Sequence, residues 1–542
     1  MENGFSFSNS KTVSLEFHKG IGPMFPIITK LNQNEIPRVE TFKFLGLTWD
    51  SKLTWKPHIV KLKAKCTQSL NLLKSVCNTE WGADTEVGMR LYRALIRSRI
   101  DYGSIVYGSA STQDLRTVET IANDALRIIT GAFRTSPVSS MKVLVHEPPL
   151  DLRRDVLRCQ YFYKIKHHIQ SPAFYSVVNQ DLVHFFQQRG ETAPVVHKIA
   201  RAVNNFQLNT NLVLPRRTPA VYTHETKLPG IEDEMMGYGK ETFPHHVIRA
   251  KFKDVIRRKY GEHTVIFTDG SKSREGVGSA AVLLGEANKK VSMPDITSIL
   301  TAETYAVKLA IELIHSKRNV TQKLLICSDS LGAIQRLTDR TQQEELTRRV
   351  QGLIHEELSS NREVVLMWVP SHVGIPGNEE ADKVAKEVSS MPKENLLLPY
   401  KDWYPYIDSK MYEIWGTRWS AETRDFKSLK PSPKKWEPPG LNRREEVVLN
   451  RIRLGHTRAT HGYLFETELL NSVMPPCPYC GRELLSIRHV FMECMSLQTK
   501  RNDIIVAALG EELVSMKNIV GENGIVKEAL KFLKEIQLFN HI

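Results

Sequence analysis

The chain has 542 residues, 41% of them hydrophobic and 25% charged, a composition ordinary for a soluble globular protein and a length that calls for several domains. Its formal net charge of +14 points to a polyanionic partner. No stretch of about 18 uncharged apolar residues occurs, which excludes a membrane-spanning helix, and seven cysteines in so long a chain do not make a disulfide framework. The start, MENGFSFSNSK, lacks a basic segment followed by an apolar one, so the expected location is intracellular, nucleus or cytoplasm.

In chain order, FKFLGLTWDSKLTW reads as strand, turn and strand. KPHIVKLKAKCTQSLNLLKSV and EVGMRLYRALIRSRIDYG carry apolar residues at helical spacing with Lys and Arg opposite. Residues 181–260, with NLVLPRRTPA and KLPGIEDEMMGYGKETFP, read as a linker rich in Pro, Gly and charge. Residues 261–390 alternate strands and helices and hold 15 Lys and Arg against 18 Asp and Glu, leaving 59 against 42 in the rest of the chain. The flanks are therefore basic and this middle stretch slightly acidic. A second linker is expected at 391–445, with KSLKPSPKKWEPPG, and a smaller, cysteine-bearing tail at 446–542.

Four acids in the middle stretch stand at unusual places. In VIFTDGSKS, Asp269 arrives where an apolar strand should end, with Gly270 to turn the backbone. In TAETYAVKLAIELIHSK, Glu303 precedes Val307, Ala310, Ile311 and Ile314 on the apolar helix face. Asp329 ends the strand of KLLICSDS, and Asp382 sits early in a helix beside Ala381, Val384 and Ala385. Turn chemistry or the helix dipole explains any one of them. Four together need cations to offset their repulsion, and oxygen donors favour Mg²⁺ or Mn²⁺.

TDGS, TAETYAVKLA, CSDS and WVPSHVGIPGNEEADKVAK resemble the four motifs of type 1 ribonuclease H, in that family's order, over residues 261–390. The resemblance implies a ribonuclease H-like mixed sheet flanked by helices. It also implies a metal-binding quartet of Asp269, Glu303, Asp329 and Asp382, with His372 as a mobile histidine assisting turnover and product release; Gly374 and Gly377 flank a loop whose movement fits that role. Two metal ions would then activate water and stabilise the departing 3′ oxygen, cutting the RNA of an RNA/DNA hybrid to 5′-phosphate and 3′-hydroxyl ends. One departure is the lack of a Lys- and Trp-rich insertion between LGAIQRL and EELTRRVQGLIHEEL, which makes weak substrate grip by this segment alone the expectation.

In the tail, CPYCGRELLSIRHVFMEC spaces Cys477, Cys480, His489 and Cys494 as C-x₂-C-x₈-H-x₄-C, a pattern for a closed tetrahedral zinc site. Arg451, Arg453 and Arg458 in LNRIRLGHTRATHGYLF offer a phosphate-contacting strip or, equally, a solvated helix face. The assembled parts resemble the carboxy-terminal portion of a non-long-terminal-repeat retrotransposon polyprotein of the jockey type. There residues 1–40 would be a reverse transcriptase palm remnant and 41–180 a mainly helical thumb and connection. No Asp-Asp pair occurs in the chain, so DNA synthesis is not expected. The leading reading is a metal-dependent endoribonuclease acting on RNA/DNA hybrids. The alternatives are an inactive, retrotransposon-derived nucleic-acid-binding protein and a structural subunit for a separate polymerase; oligomeric state is not legible.

Overall fold

The computed structural model describes residues 7–8, 10–18, 28–31, 33–178, 194–217, 224–317, 322–457, 459–460 and 476–542. The chain forms two compact units, one of Met1–Arg158, Asp181–Ala202 and Lys410–Ile542, the other of Cys159–Gln180 and Val203–Ser409. Among the described residues no helix is long and apolar enough to cross a membrane.

The second unit is a six-stranded mixed sheet between layers of helices. Its elements are β1 (Gly230–Glu232), α1 (His245–Lys259), β2 (Thr264–Lys272), β3 (Val277–Leu283), β4 (Ala287–Met293), α2 (Ile299–His315), β5 (Lys323–Ser328), α3 (Leu331–Thr338), α4 (Glu345–Ser359), β6 (Glu363–Trp368) and α5 (Pro376–Ser389). The sheet order is β1-β6-β5-β2-β3-β4. The strands from β1 to β2 run parallel, while β3 and β4 continue as antiparallel hairpins.

The central strands are apolar on both faces, as a sheet covered twice requires. Successive residues point to opposite sides. Ile266, Leu324, Ile326 and Leu366 pack with Val307, Ile311, Ile314, Ile334, Val350 and Ile354 of α2, α3 and α4. Phe267, Leu325, Cys327 and Met367 pack with Ile248, Phe252 and Val255 of α1 and Ala381, Val384 and Ala385 of α5. The ribonuclease H-like mixed sheet expected from the motifs is therefore present.

Both expected linkers contain folded structure. Within 181–260, β1 extends the sheet by pairing with Val365 to Met367 of β6, and α1 covers one face. Within 391–445, Leu398 exchanges backbone hydrogen bonds with residues 212 and 214, and a helix runs from Trp403 to Ser420. Trp403, Ile407, Met411, Trp415 and Trp419 are all buried, one helical turn apart, and that apolar row overrides the helix-breaking content around it.

The first unit joins segments from both ends of the chain. The expected hairpin forms from Thr41–Phe44 and Leu47–Asp50, followed by helices Lys56–Val76, Thr85–Tyr92 and Thr112–Thr130. The helix Arg443–Arg453 docks on these. Its Arg443 Nη1 donates to the Ile129 carbonyl at 2.6 Å, and its Glu446 carboxylate accepts from the Thr85 amide at 2.8 Å. The 446–542 region is thus not a separate module but part of the same unit as the N-terminal helices.

Candidate active site

Register builds the acidic site. In the parallel pair of β2 and β5, Thr268 lies opposite Ser328, the last residue of β5. The next residues, Asp269 and Asp329, therefore emerge side by side at the carboxyl edge of the parallel strands, where open α/β sheets place their ligands. Contrary to the sequence expectation, Asp269 does not end its strand: β2 runs on to Lys272 paired with β3 alone, and Asp269 faces Ala280 there.

Glycine sets how close α2 comes. A Cβ on Gly270 would stand 2.6 Å from the Glu303 amide nitrogen and 2.9 Å from the Ala302 carbonyl carbon. Only a glycine lets the start of α2 settle on β2. Ser279 Oγ donates to the Ala302 carbonyl at 2.8 Å, and the Ser298 side chain caps the helix. Glu303 is thereby carried over the strand edge, with the Gly270 N–H donating to its carboxylate.

Carboxylate oxygens of Asp269, Glu303 and Asp329 lie within 4.8 Å of one another. Burial, then the charges of Asp329 and Asp382, pushes the Asp269 carboxyl up to about 7. Burial, then Asp269, pushes Glu303 up to about 9. Burial also raises Asp329, with a hydrogen bond from Asn378 acting the other way. Asp269 Oδ2 and Glu303 Oε2 are buried without a hydrogen-bond partner. Two orphaned carboxylate oxygens aimed into one acidic cluster are costly unless a cation joins them. The donor set is all oxygen and suits a hard divalent ion such as Mg²⁺ or Mn²⁺.

Asp382 belongs to a neighbouring group. Its side chain clusters with His372 and Glu379 and pairs with Lys386 at 2.7 Å. Its charge still acts on Asp269, yet it stands outside the group of three. His372 is exposed and holds a left-handed backbone, φ 56°, two residues before Gly374 at φ 82°. Gly377 is no hinge: it lies in α5, where a Cβ would meet the Phe267 ring at 2.1 Å, so it is a packing position that seats α5 on the sheet.

Two residues of this site were not singled out from sequence. Asn378, buried beside Gly377, was visible in the fourth motif as a polar residue on the inward side of α5. Asp402 accepts from the Ser298 amide at 3.2 Å and from Thr301 Oγ1 at 3.1 Å, fixing the first turn of α2 from outside 261–390. No local pattern could have announced that tertiary contact.

The four expected tail residues also come together. Ligand atoms of Cys477, Cys480, His489 and Cys494 lie within 4.8 Å of one another. Cys477 Sγ and Cys494 Sγ are 3.9 Å apart, and Cys480 Sγ is 3.5 Å from His489 Nε2. A disulfide needs about 2.05 Å, whereas two Zn–S bonds of about 2.3 Å at a tetrahedral angle give roughly 3.8 Å. Backbone N–H groups of Glu483 and Arg482 point at Cys480 and lower its thiol to about 6, while burial first raises Cys494 to about 11. The set fits zinc.

The arginine strip is not formed as expected. Arg451 is buried, donating to the carbonyls of Gly131 at 2.8 Å and Ile542 at 2.7 Å and covering the Phe133 ring. Arg453 is buried too, donating to Val520 and Gly521 and lying over Trp436. These side chains satisfy carbonyls at the ends of other segments and present no strip to solvent. Arg458 lies outside the described residues.

Residues 261–390 match the family model for RNase H, and with the mixed sheet and the acidic cluster at its edge this supports a type 1 ribonuclease H domain over that segment.

Proposed function

We propose that the chain is an endoribonuclease that hydrolyses the RNA strand of RNA/DNA hybrids by two-metal catalysis, leaving 5′-phosphate and 3′-hydroxyl ends. The observation that carries the reading is the cluster of buried Asp269 and Glu303 with half-buried Asp329, and its two orphaned oxygens. These three and Asp382 would hold the divalent ions, whose chemistry is to acidify the attacking water and to stabilise the departing oxygen. Asn378 orients Asp329, and Asp402 with Ser298 fixes the helix start that presents Glu303. His372, exposed beside Asp382, would assist product release.

The basic first unit, with zinc held by Cys477, Cys480, His489 and Cys494, is a nucleic-acid-binding companion in a retrotransposon-type polyprotein, its helical front a reverse transcriptase thumb. The test is cleavage of an end-labelled RNA/DNA hybrid, with Mg²⁺ and with chelator, beside the Asp269→Asn and Asp329→Asn variants. Metal-dependent cutting of the RNA strand that both variants lose supports the reading. Hybrid binding without cutting, equal in parent and variants, replaces it with an inactive nucleic-acid-binding protein.

A further inference from the structure

The 261–390 segment carries more acids than bases, so it does not by its own charge hold a polyanion. The unit that contains it has a basic cavity elsewhere. An open cavity of about 560 Å³ lies between the end of the Leu150–His167 helix, the turn that follows, and the strand-like segment at 213–217. Lys164, His168, Arg216 and Arg217 line it, with Tyr161 and Ser171 among the polar neighbours, and among the described residues no acid is part of the lining. Its size suits a nucleotide unit.

The cavity is held in shape by backbone. His167 Nδ1 bonds the Leu214 carbonyl at 2.6 Å, and the Arg216 amide donates to the His167 carbonyl at 2.8 Å. The Arg217 amide donates to Glu345 Oε1 at 3.2 Å, and Arg216 Nη2 reaches Gln343 Oε1 at 3.3 Å. The two acids that border the segment are otherwise engaged: Glu345 pairs with Arg349, and Glu344 caps α4 through the Leu346 and Thr347 amides. Cations at a helix C-terminus are an ordinary complement to the dipole, which accounts for Lys164. It does not account for Arg216 and Arg217, which arrive from another segment and are exposed. The field of these cations is felt inside the cavity, where burial first and then His167, Arg216 and Lys164 lower His168.

The cavity also stands in a definite relation to the carboxylates. Two residues after Asp329 begins α3, eight residues or about 12 Å long. The loop after α3 carries Gln343, and α4 begins at Glu345, the contacts of Arg216 and Arg217. Arg216 and Arg217 are thus tied to the loop and helix start that follow the strand of Asp329.

We propose that the cavity of Lys164, His168, Arg216 and Arg217 is a second phosphate-binding site, which takes the sugar-phosphate backbone of the bound duplex several base pairs from the cut. It rests on the reading of the carboxylate cluster as the hybrid-cleaving centre. The site supplies the grip that the acidic segment lacks, and it reads no base.

The experiment uses the full chain carrying Asp269→Asn, so that binding is seen without cleavage, with and without Lys164→Gln, Arg216→Gln and Arg217→Gln together. Fluorescence anisotropy follows hybrids of about 20 and about 6 base pairs across a salt series. The expected result is a Kd raised roughly tenfold on the long hybrid, a log-log salt slope reduced by about 3, one per contact, and less than a twofold change on the short one. In the otherwise wild-type chain the triple variant should raise KM on the long hybrid and leave kcat unchanged. Equal Kd and slope at both lengths, or an equal loss at both lengths, overturns the site. The Gln side chains keep the backbone bonds that shape the cavity, and an unchanged Tm, with Lys164→Gln alone as a second reading, checks that the fold survives. If the wild-type chain cuts no hybrid while the triple variant still loses long-duplex binding, the hydrolase falls and the cavity stands. If metal-dependent cutting is present and KM is unmoved, the cavity falls and the hydrolase stands.

Discussion

The acidic cluster and the cysteine cluster are both shaped for metal, and they are assembled in opposite ways. Cys477, Cys480, His489 and Cys494 fall within 18 residues, and backbone amides of the same short loop tune Cys480. Asp269, Glu303 and Asp329, with Asp382 in the neighbouring group, span 114 residues and come to one sheet edge only because a parallel strand pair, two helices and a glycine contact bring them there. In the first, a bound metal would make the local structure; in the second, the fold makes the site and bears its electrostatic cost. A folding element and a reaction centre should therefore respond differently to the loss of one ligand.

The largest effect is expected at the cysteines. Zinc contributes on the order of 10 kcal/mol to small metal-folded elements, so Cys494→Ser should lose one equivalent of zinc by atomic emission and leave 476–542 open to limited proteolysis. Retained protease resistance without zinc would mean that the packing of Val490 and Phe491, both buried, suffices. Next comes Asp269→Asn, which should lower hybrid cleavage by more than about 100-fold, beyond what loss of a residue supporting a ligand costs, with zinc content unchanged. Asn378→Ala should raise the half-saturating Mg²⁺ concentration about 10- to 100-fold in cleavage titrations; no change would detach Asn378 from the site.

The smallest effect has the opposite sign. Asp269 titrates near 7 when folded against an ordinary 3.8, so the unfolded state ionises first and the metal-free fold loses stability as pH rises between those values. Asp269→Asn should then raise Tm in chelator at pH 8, by roughly 2–4 °C for each kcal/mol relieved. The gain should shrink sharply near pH 4, where the folded state is protonated and the unfolded carboxyl is only about half ionised. Thermal melts at the two pH values decide it, and an unchanged Tm at pH 8 would show that the repulsion is relaxed by other means. The same titration makes protons compete with Mg²⁺, so more metal is needed at pH 6 than at pH 8.

Both clusters were legible in sequence for different reasons. The cysteines announce themselves by spacing. The acids do so because each interrupts an apolar pattern, Glu303 most clearly on the face of Val307 and Ile311. The elements that frame the acidic site were less visible. β1 is three residues long, too short to show alternation, and its place is set by β6. The row from Trp403 to Trp419 was readable at intervals of four but was masked by the Pro-rich run that follows. Arg451 and Arg453 misled because basic residues on a helix predict solvent, whereas here carbonyls of segments distant in sequence take their donors. Nothing local encodes those acceptors.

The register of Thr268 opposite Ser328 has a further consequence. Side chains on a strand alternate between faces, so a slip of one residue in the β2 and β5 pair would turn Asp269 and Asp329 to opposite sides of the sheet. Apolar neighbours on both faces, such as Ile266 and Phe267, would partly tolerate that error, because each side remains greasy. The carboxylates would not. Divalent ion uptake by this segment would thus report correct strand alignment, and a misaligned chain could be compact, well packed and still unable to take up the ion.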